Sequence, residues 1–180
     1  MKPGPGWGGS CFPKDTRALI GIAEDHGYDF NFLNGVVVVN SEQRDRMVSK
    51  IRAAVGGELA GAKIAAWGLT FKANTDDLRE SPAVSIIELL VAEGCKVVAY
   101  DPTVKAPLAQ LPAVEVAGTA LDACDGAQAL VVLTEWDEFR WADLAEVRSK
   151  MAAANIVDTR NLLDKPAALR LGFTYTGVGR

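Results

Sequence analysis

A chain of 180 residues, 49% hydrophobic and 23% charged, has the length and apolar content for one folded domain with an appended piece. Its net charge of −4, with no basic block, argues against nucleic acid or an anionic membrane surface as partner, and no apolar run is long enough to span a bilayer. Three irregularly spaced cysteines with no C-x-x-C pair, and a single histidine, argue for a reducing compartment, taken as the cytoplasm, and against disulfides or a metal site.

Lys2 to Pro13 is a Gly/Pro-rich loop where a secretory leader would have its apolar core, so secretion is not expected. Met1 stands almost against this loop, which predicts that the chain is a piece of a longer protein. Asp15 is placed to cap a helix over 16–26, with Leu19, Ile20 and Ala23 on one face and Gly27 as its stop. From Leu33 to about Val55 the apolar residues Val36, Val37, Met47, Val48 and Ile51 keep helical spacing, with Asn40 and Arg44 breaking the stripe. The run Val36 to Val39 alone reads as a strand, but the spacing continues for several turns, which predicts one long helix.

Beyond Gly56-Gly57 the texture alternates. Strands are predicted at 63–67, 96–100, 114–116, 129–133, 156–157 and 173–175. Ser81-Pro82 opens a helix to about Glu93, as an N-cap followed by proline at the first helical position. A short helix is expected around Leu121 and another over 142–151. Strands alternating with helices imply an α/β fold: a parallel sheet with helices on both faces. Such sheets bind ligands beyond the C-terminal ends of their strands. Three polar clusters fall there: Thr70 to Arg79, Thr134-Glu135-Trp136 and Asp158-Thr159-Arg160.

The chemistry concentrates in Gly6-Trp7-Gly8-Gly9-Ser10-Cys11-Phe12-Pro13-Lys14-Asp15. A thiol is a nucleophile as thiolate, and nearby cations favour that form. Glycines let a bound molecule approach the backbone. Lys14 supplies a cation, and Asp15 a carboxylate able to handle protons. Weaker signals lie elsewhere. Trp67-Gly68-Leu69-Thr70-Phe71 is a turn of nucleotide-binding type without a full G-x-G-x-x-G, and Asp101 follows the second strand where a ribose-binding acid would lie. Lys72 and the amides opening the Ser81 helix suit a phosphate. Arg79 and Arg160 are either surface or loop anchors or planar forks for phosphates. Cys95 and Cys124 read as inert fillers, His26 as a surface or capping residue, and Trp136 and Trp141 as packing on the sheet edge.

Four segments in series resemble the UDP-glucose 6-dehydrogenase family. Pro3 to Asp15 looks like its catalytic-cysteine motif, and Gly68 to Pro82 like its nucleotide-sugar segment. Leu133 to Phe139 and Asp158-Thr159-Arg160-Asn161 resemble two further signatures. Trp7 stands where the family more often has Phe or Tyr. The family's N-terminal NAD-binding Rossmann domain, and a catalytic lysine and asparagine, have no counterpart in these residues. The resemblance implies a Rossmann-like sheet divided as a cysteine loop and helix (1–32), a central connecting and dimerisation helix (33–56) and a UDP-sugar-binding domain (57–180).

For activity, the resemblance implies oxidation of UDP-glucose to UDP-glucuronate with NAD as cofactor. Cys11 would be the nucleophile that forms a thiohemiacetal and then a thioester, and Asp15 would orient or activate water. Lys2, Pro3, Gly4, Pro5, Gly6, Trp7 and Gly8 would wrap the sugar, with Phe71, Lys72 and Arg160 on the UDP-sugar. Cys11, Lys14 and Arg79 would touch NAD. A homodimer through the central helix is expected, and this chain alone is expected to be inactive. The alternatives are a part of a GDP-mannose or UDP-hexosamine dehydrogenase, or a non-catalytic nucleotide-binding or dimerisation module.

Overall fold

The computed structural model describes residues 3–179. Its first helix, α1 (Phe12–Asp25), starts four residues before the expected position, and Asp15 is not its cap. Pro13 explains the shift. A first-turn proline needs no N–H partner and has its φ preset. Thr16 then donates its hydroxyl to the Phe12 carbonyl at 2.7 Å, and the Asp15 amide donates to the Cys11 carbonyl at 2.8 Å. Cys11 therefore holds the N-cap position without a side-chain cap bond. Asp15 lies in the first turn, where a carboxylate faces the positive end of the helix dipole. The stop at Gly27 is as expected. Its φ of +73° lets the Tyr28 amide reach the Ala23 carbonyl, a Schellman closure.

The long helix α2 (Asn31–Ala54) runs unbroken through Val36–Val39. Its C-terminal half buries Met47, Val48 and Ile51 against α3 (Pro82–Ala92) and the sheet. Its N-terminal half leaves Phe32 79%, Val38 56% and Val39 54% exposed. Ser81 caps α3 by accepting the Ala83 amide, as the Ser-Pro pair predicts.

Six strands form one parallel sheet: β1 (Lys63–Trp67), β2 (Lys96–Tyr100), β3 (Glu115–Val116), β4 (Ala129–Val132), β5 (Asn155–Asp158) and β6 (Thr174–Gly177). Their order is β3-β2-β1-β4-β5-β6, the doubly wound order of a Rossmann-like fold. The expected α/β class, with helices on both faces, is what the chain adopts. One face carries α2 and α3 over Ile64, Ala66, Val97 and Val131. The other carries Phe139, Leu144, Val147 and Ala168 over Ala65, Trp67, Leu130 and Ile156. That second layer is α4 (Ala120–Ala123), α5 (Asp137–Arg140), α6 (Leu144–Lys150) and α7 (Lys165–Arg170). The sequence reading did not anticipate α5 and α7, at four and six residues too short for a periodic stripe. The helix expected over 142–151 starts at Leu144 because Asp143 caps it.

The tryptophan expectation is corrected for Trp141, which is 81% exposed; Trp136 packs against the second layer of the core, with its indole N–H donated to Asp101. Cys95 and Cys124 are buried as expected. His26 takes the C-cap of α1, its Nδ1 2.8 Å from the Ile22 carbonyl. Among the described residues no helix is long and apolar enough to cross a membrane.

Candidate active site

The strand order places its switch point between β1 and β4, and the polar clusters meet there. Asp101, fully buried at the end of β2, ties them together. Its Oδ2 accepts the Leu69 and Thr70 amides, at 2.8 and 3.1 Å, and the Trp136 indole N–H at 3.1 Å. Its Oδ1 accepts the Thr103 amide and hydroxyl. Burial pushes this carboxyl up, but the amide bonds from Leu69, Thr103 and Thr70 outweigh it and hold it below its ordinary value. Asp101 therefore faces the protein, and the ribose reading is corrected. The turn at Gly68 is also filled by protein. Its φ is +96°, and a β-carbon there would run into the Thr134 side chain.

Arg160, after β5, is the second tie. Its side chain is 11% exposed. Nε donates to the Leu133 carbonyl at 2.8 Å, and Nη2 lies 3.4 Å from the Phe71 carbonyl. Nη1 lies 3.1 Å from the Glu135 carboxylate. Burial lowers its pKa, while Glu135 and Asp158 act the other way. The fork thus spans all three polar clusters, which a single ammonium does not do.

The cysteine loop lies directly on this assembly. A β-carbon on Gly4 would stand 2.9 Å from Arg160 Nη1. One on Gly9 would stand 2.8 Å from the Phe71 ring, and one on Gly8 would strike the Glu80 carbonyl and the Pro82 ring. Glu80 has φ +49°, unusual for a residue with a side chain, and its carboxylate accepts a 2.7 Å bond from Arg17 on α1. The 71–82 segment is thus in glycine-to-backbone contact with the loop and joined by an ion pair to α1, the helix that follows the loop. Trp7 stacks edge-on against Phe12, ring centroids 4.8 Å apart.

The residues named from sequence fall into three groups. Pro3, Gly4, Pro5, Gly6, Trp7 and Gly8 line up along the loop, with Pro5 buried and Pro3 exposed. Lys2 lies outside the described residues. Phe71, Lys72 and Arg160 share the strand-end face, Lys72 Nζ standing 5.1 Å above the Phe71 ring. Cys11, Lys14 and Arg79 form an exposed cluster. Lys14 is raised above its usual pKa by its hydrogen bond to Asp15 and, to a smaller degree, by Cys11. Arg79 is raised first by Asp77 and also by Cys11, so both cations feel the sulfur. Asp77 in turn is lowered to about 2 by the Arg79 side chain, which grips it at 2.9 and 2.8 Å. Asp15 is engaged with Lys14 at 2.7 Å, an exposed pair of small energetic weight.

A cleft of about 860 Å³ opens between the loop and the first half of α2, lined by Gly4, Gly6, Trp7, Phe32, Val36 and Arg160 among others. The sequence reading placed Glu135 in a strand-end cluster without giving it a role, and did not place Asn40 or Gln43 at the site. The one available signal was the polar interruption at Asn40 in an apolar stripe.

The chain is similar to known proteins along its whole length. Residues 65–165 match the UDP-binding domain of the UDP-glucose/GDP-mannose dehydrogenase family, and residues 1–42 its central domain. A UDP-glucose 6-dehydrogenase of Rhizobium meliloti is 42% identical over 181 residues, covering 100% of this chain and 41% of that protein. One of Pseudomonas aeruginosa is 41% identical over 184 residues, covering 98% and 41%. The chain thus spans about two fifths of the length of these relatives. Among solved structures, a UDP-glucose dehydrogenase of Pyrobaculum islandicum superposes with TM-score 0.83 at 32% identity, covering 97% of this chain and 38% of that one. A UDP-D-ManNAc dehydrogenase of Pyrococcus horikoshii gives 0.85 at 28%, covering 100% and 40%. By fold, by the order of its motifs and by these matches, the chain belongs to the UDP-glucose/GDP-mannose dehydrogenase family.

Proposed function

We propose that this chain is the thiol-bearing and UDP-sugar-binding part of an NAD-dependent UDP-glucose 6-dehydrogenase. The observation that carries the reading is the seating of the Cys11 loop, through Gly8 and Gly9, on the 71–82 segment of the UDP-binding domain. A nucleotide held there by Phe71, Lys72 and Arg160 would present its sugar to the Pro3–Gly8 backbone and its C6 carbon to the thiol. The names of the relatives favour glucose as the sugar.

The chemistry then follows from a thiolate beside a carbonyl. Lys14 and Arg79 would flank a bound NAD, which would supply the hydride acceptor, two molecules of NAD being needed for each alcohol taken to the acid. Cys11 Sγ adds to the C6 aldehyde, giving a thiohemiacetal. Loss of hydride leaves a thioester, and water cleaves it to the acid and the free thiol. Covalent capture divides one difficult oxidation into two steps and retains a reactive aldehyde. Asp15 would orient or activate that water. Lys14 and Arg79, exposed cations beside Cys11, suit the rim of a site for an anionic dinucleotide. The exposed Phe32, Val38 and Val39 of α2 support pairing of two copies through this helix.

Calorimetric titration of the 180-residue chain tests the substrate class. Heat is expected with UDP and UDP-glucose and none with GDP; a response to GDP alone would transfer the reading to GDP-mannose. The chain mixed with NAD and UDP-glucose is expected to form no NADH. In the protein that includes an NAD-binding domain, Cys11→Ala is expected to abolish acid formation, and an undiminished yield would remove the nucleophile role.

A further inference from the structure

Asn40 lies inside α2, and its type is among the weaker ones for a helix interior. It is 7% exposed, and a buried amide requires partners. It finds both on one residue. Asn40 Oδ1 accepts the Trp7 N–H at 2.8 Å, and Asn40 Nδ2 donates to the Trp7 carbonyl at 3.1 Å. The side chain pairs with Trp7 as a neighbouring strand would, exchanging both bonds. The amide orientation follows, because its oxygen alone accepts and its nitrogen alone donates. One turn along the same face, Gln43 Nε2 donates to the Gly4 carbonyl at 3.2 Å. Gly6 between them has φ +132°, and a β-carbon there would stand 2.9 Å from Asn40 Oδ1.

The far end of α2 is fixed in the core by Met47, Val48 and Ile51. A continuous path therefore runs from the core along α2 to Asn40, to Trp7, and through the Trp7–Phe12 ring contact to the residue next to Cys11. We propose that Asn40, supported by Gln43, is a positioning residue that registers the Trp7 backbone and so sets the place of the Cys11 thiol. The effect on a bound sugar rests on the function proposed above. A backbone held at both its N–H and its C=O does not swing, so the Pro3–Gly8 stretch presents a fixed set of groups to hydroxyls.

The test uses the full chain with Asn40→Ala and Asn40→Asp. Two readouts need no ligand: amide hydrogen exchange at Trp7, and the rate of iodoacetamide alkylation of Cys11, the one exposed cysteine among the three. In Asn40→Ala, Trp7 protection is expected to fall tenfold or more while Leu130 and Val131 in β4 keep theirs, and Cys11 alkylation to change at least threefold. In Asn40→Asp a smaller loss, about threefold, is expected at pH 7.5, because the carboxylate still accepts the Trp7 N–H but repels the Trp7 carbonyl instead of donating to it. It should be recovered relative to wild type near pH 4, where the protonated carboxyl again donates to the Trp7 carbonyl. Arg160, the charged group lining the same cleft, stays protonated throughout.

Unchanged Trp7 protection in Asn40→Ala, or unchanged Cys11 alkylation in both variants, overturns the proposal. If Asn40→Ala fails to fold, Asn40→Asp decides, and wild-type Trp7 protection at both pH values overturns it. A wild-type chain that binds UDP-glucose no better than UDP would refute the sugar-loop reading, while exchange and alkylation still decide the role of Asn40.

Discussion

The backbone carbonyl of Glu80 occupies the space that a β-carbon on Gly8 would require, with the Pro82 ring closing the same space. Two segments about seventy residues apart in sequence thus meet with nothing between them. Gly8→Ala is expected to lift the cysteine loop off the 71–82 segment, with an overpacking cost of about 1–3 kcal/mol. Urea unfolding followed by tryptophan emission measures the loss. Faster proteolysis near Ser10, with sheet amides still protected, would locate it in the loop. A Gly8→Ala chain with wild-type stability and cleavage would contradict the contact.

The three thiols are expected to differ sharply in reactivity. Cys11 is exposed, whereas burial raises the Cys95 thiol and pushes that of Cys124 up to about 12. With a disulfide reagent at pH 8, one thiol per chain should react quickly and the other two only after denaturant is added. Cys11→Ser should remove the fast phase alone.

Arg160→Lys is expected to destabilise the chain although charge is conserved. The Leu133 and Phe71 carbonyls and the Glu135 carboxylate are spread around a planar fork. Arg160→Ala should cost more, about 3 kcal/mol, because it strands the half-buried Glu135 carboxylate. Adding Glu135→Gln should restore part of that loss. Thermal melts of wild type, Arg160→Lys, Arg160→Ala, Glu135→Gln and the double variant decide the matter, and an additive double variant would mean that the pair is uncoupled.

Acid should weaken the fold through two carboxyls. Asp77 is lowered to about 2 by Arg79, and Asp101 is also held below its ordinary value. Both have folded pKa values below their unfolded ones. The stability they add is present above about pH 4 and is lost as pH falls towards 2. Urea midpoints at pH 5, 3 and 2 should fall steeply in wild type and less steeply in Asp77→Asn. Parallel curves for the two proteins would rule out the Asp77 contribution.

Much of the fold is legible in the sequence because it is local. Strands 63–67 and 96–100 stand out as short apolar runs, and Ser81-Pro82 announces α3 by chemistry confined to two residues. Asp15 shows the limit of that reasoning. It has the right type for a cap, yet Pro13 two residues earlier moves the helix start. Asp101 shows another. An acid after β2 reads as a ribose ligand until its partners, Leu69, Thr70 and Trp136, arrive from the loops after β1 and β4. The positions of Cys11, Phe71 and Arg160 follow from motif order. The packing that brings them together depends on glycines whose neighbours are fixed only by tertiary structure.

Arg160 accepts a further consequence from its reach. Its backbone partners lie 27 and 89 residues away in the chain, and its carboxylate partner follows a different strand from its own. The Phe71 contact spans more of the chain than any strand pairing in the sheet, where even Ile64 and Ala129 are closer in sequence, and such contacts close late. Folding intermediates should therefore contain much of the sheet while lacking the Arg160 tie between the strand-end clusters. On the function proposed above, competence to hold a nucleotide would appear in a single late step, and UDP present during refolding would favour the native state only after that step.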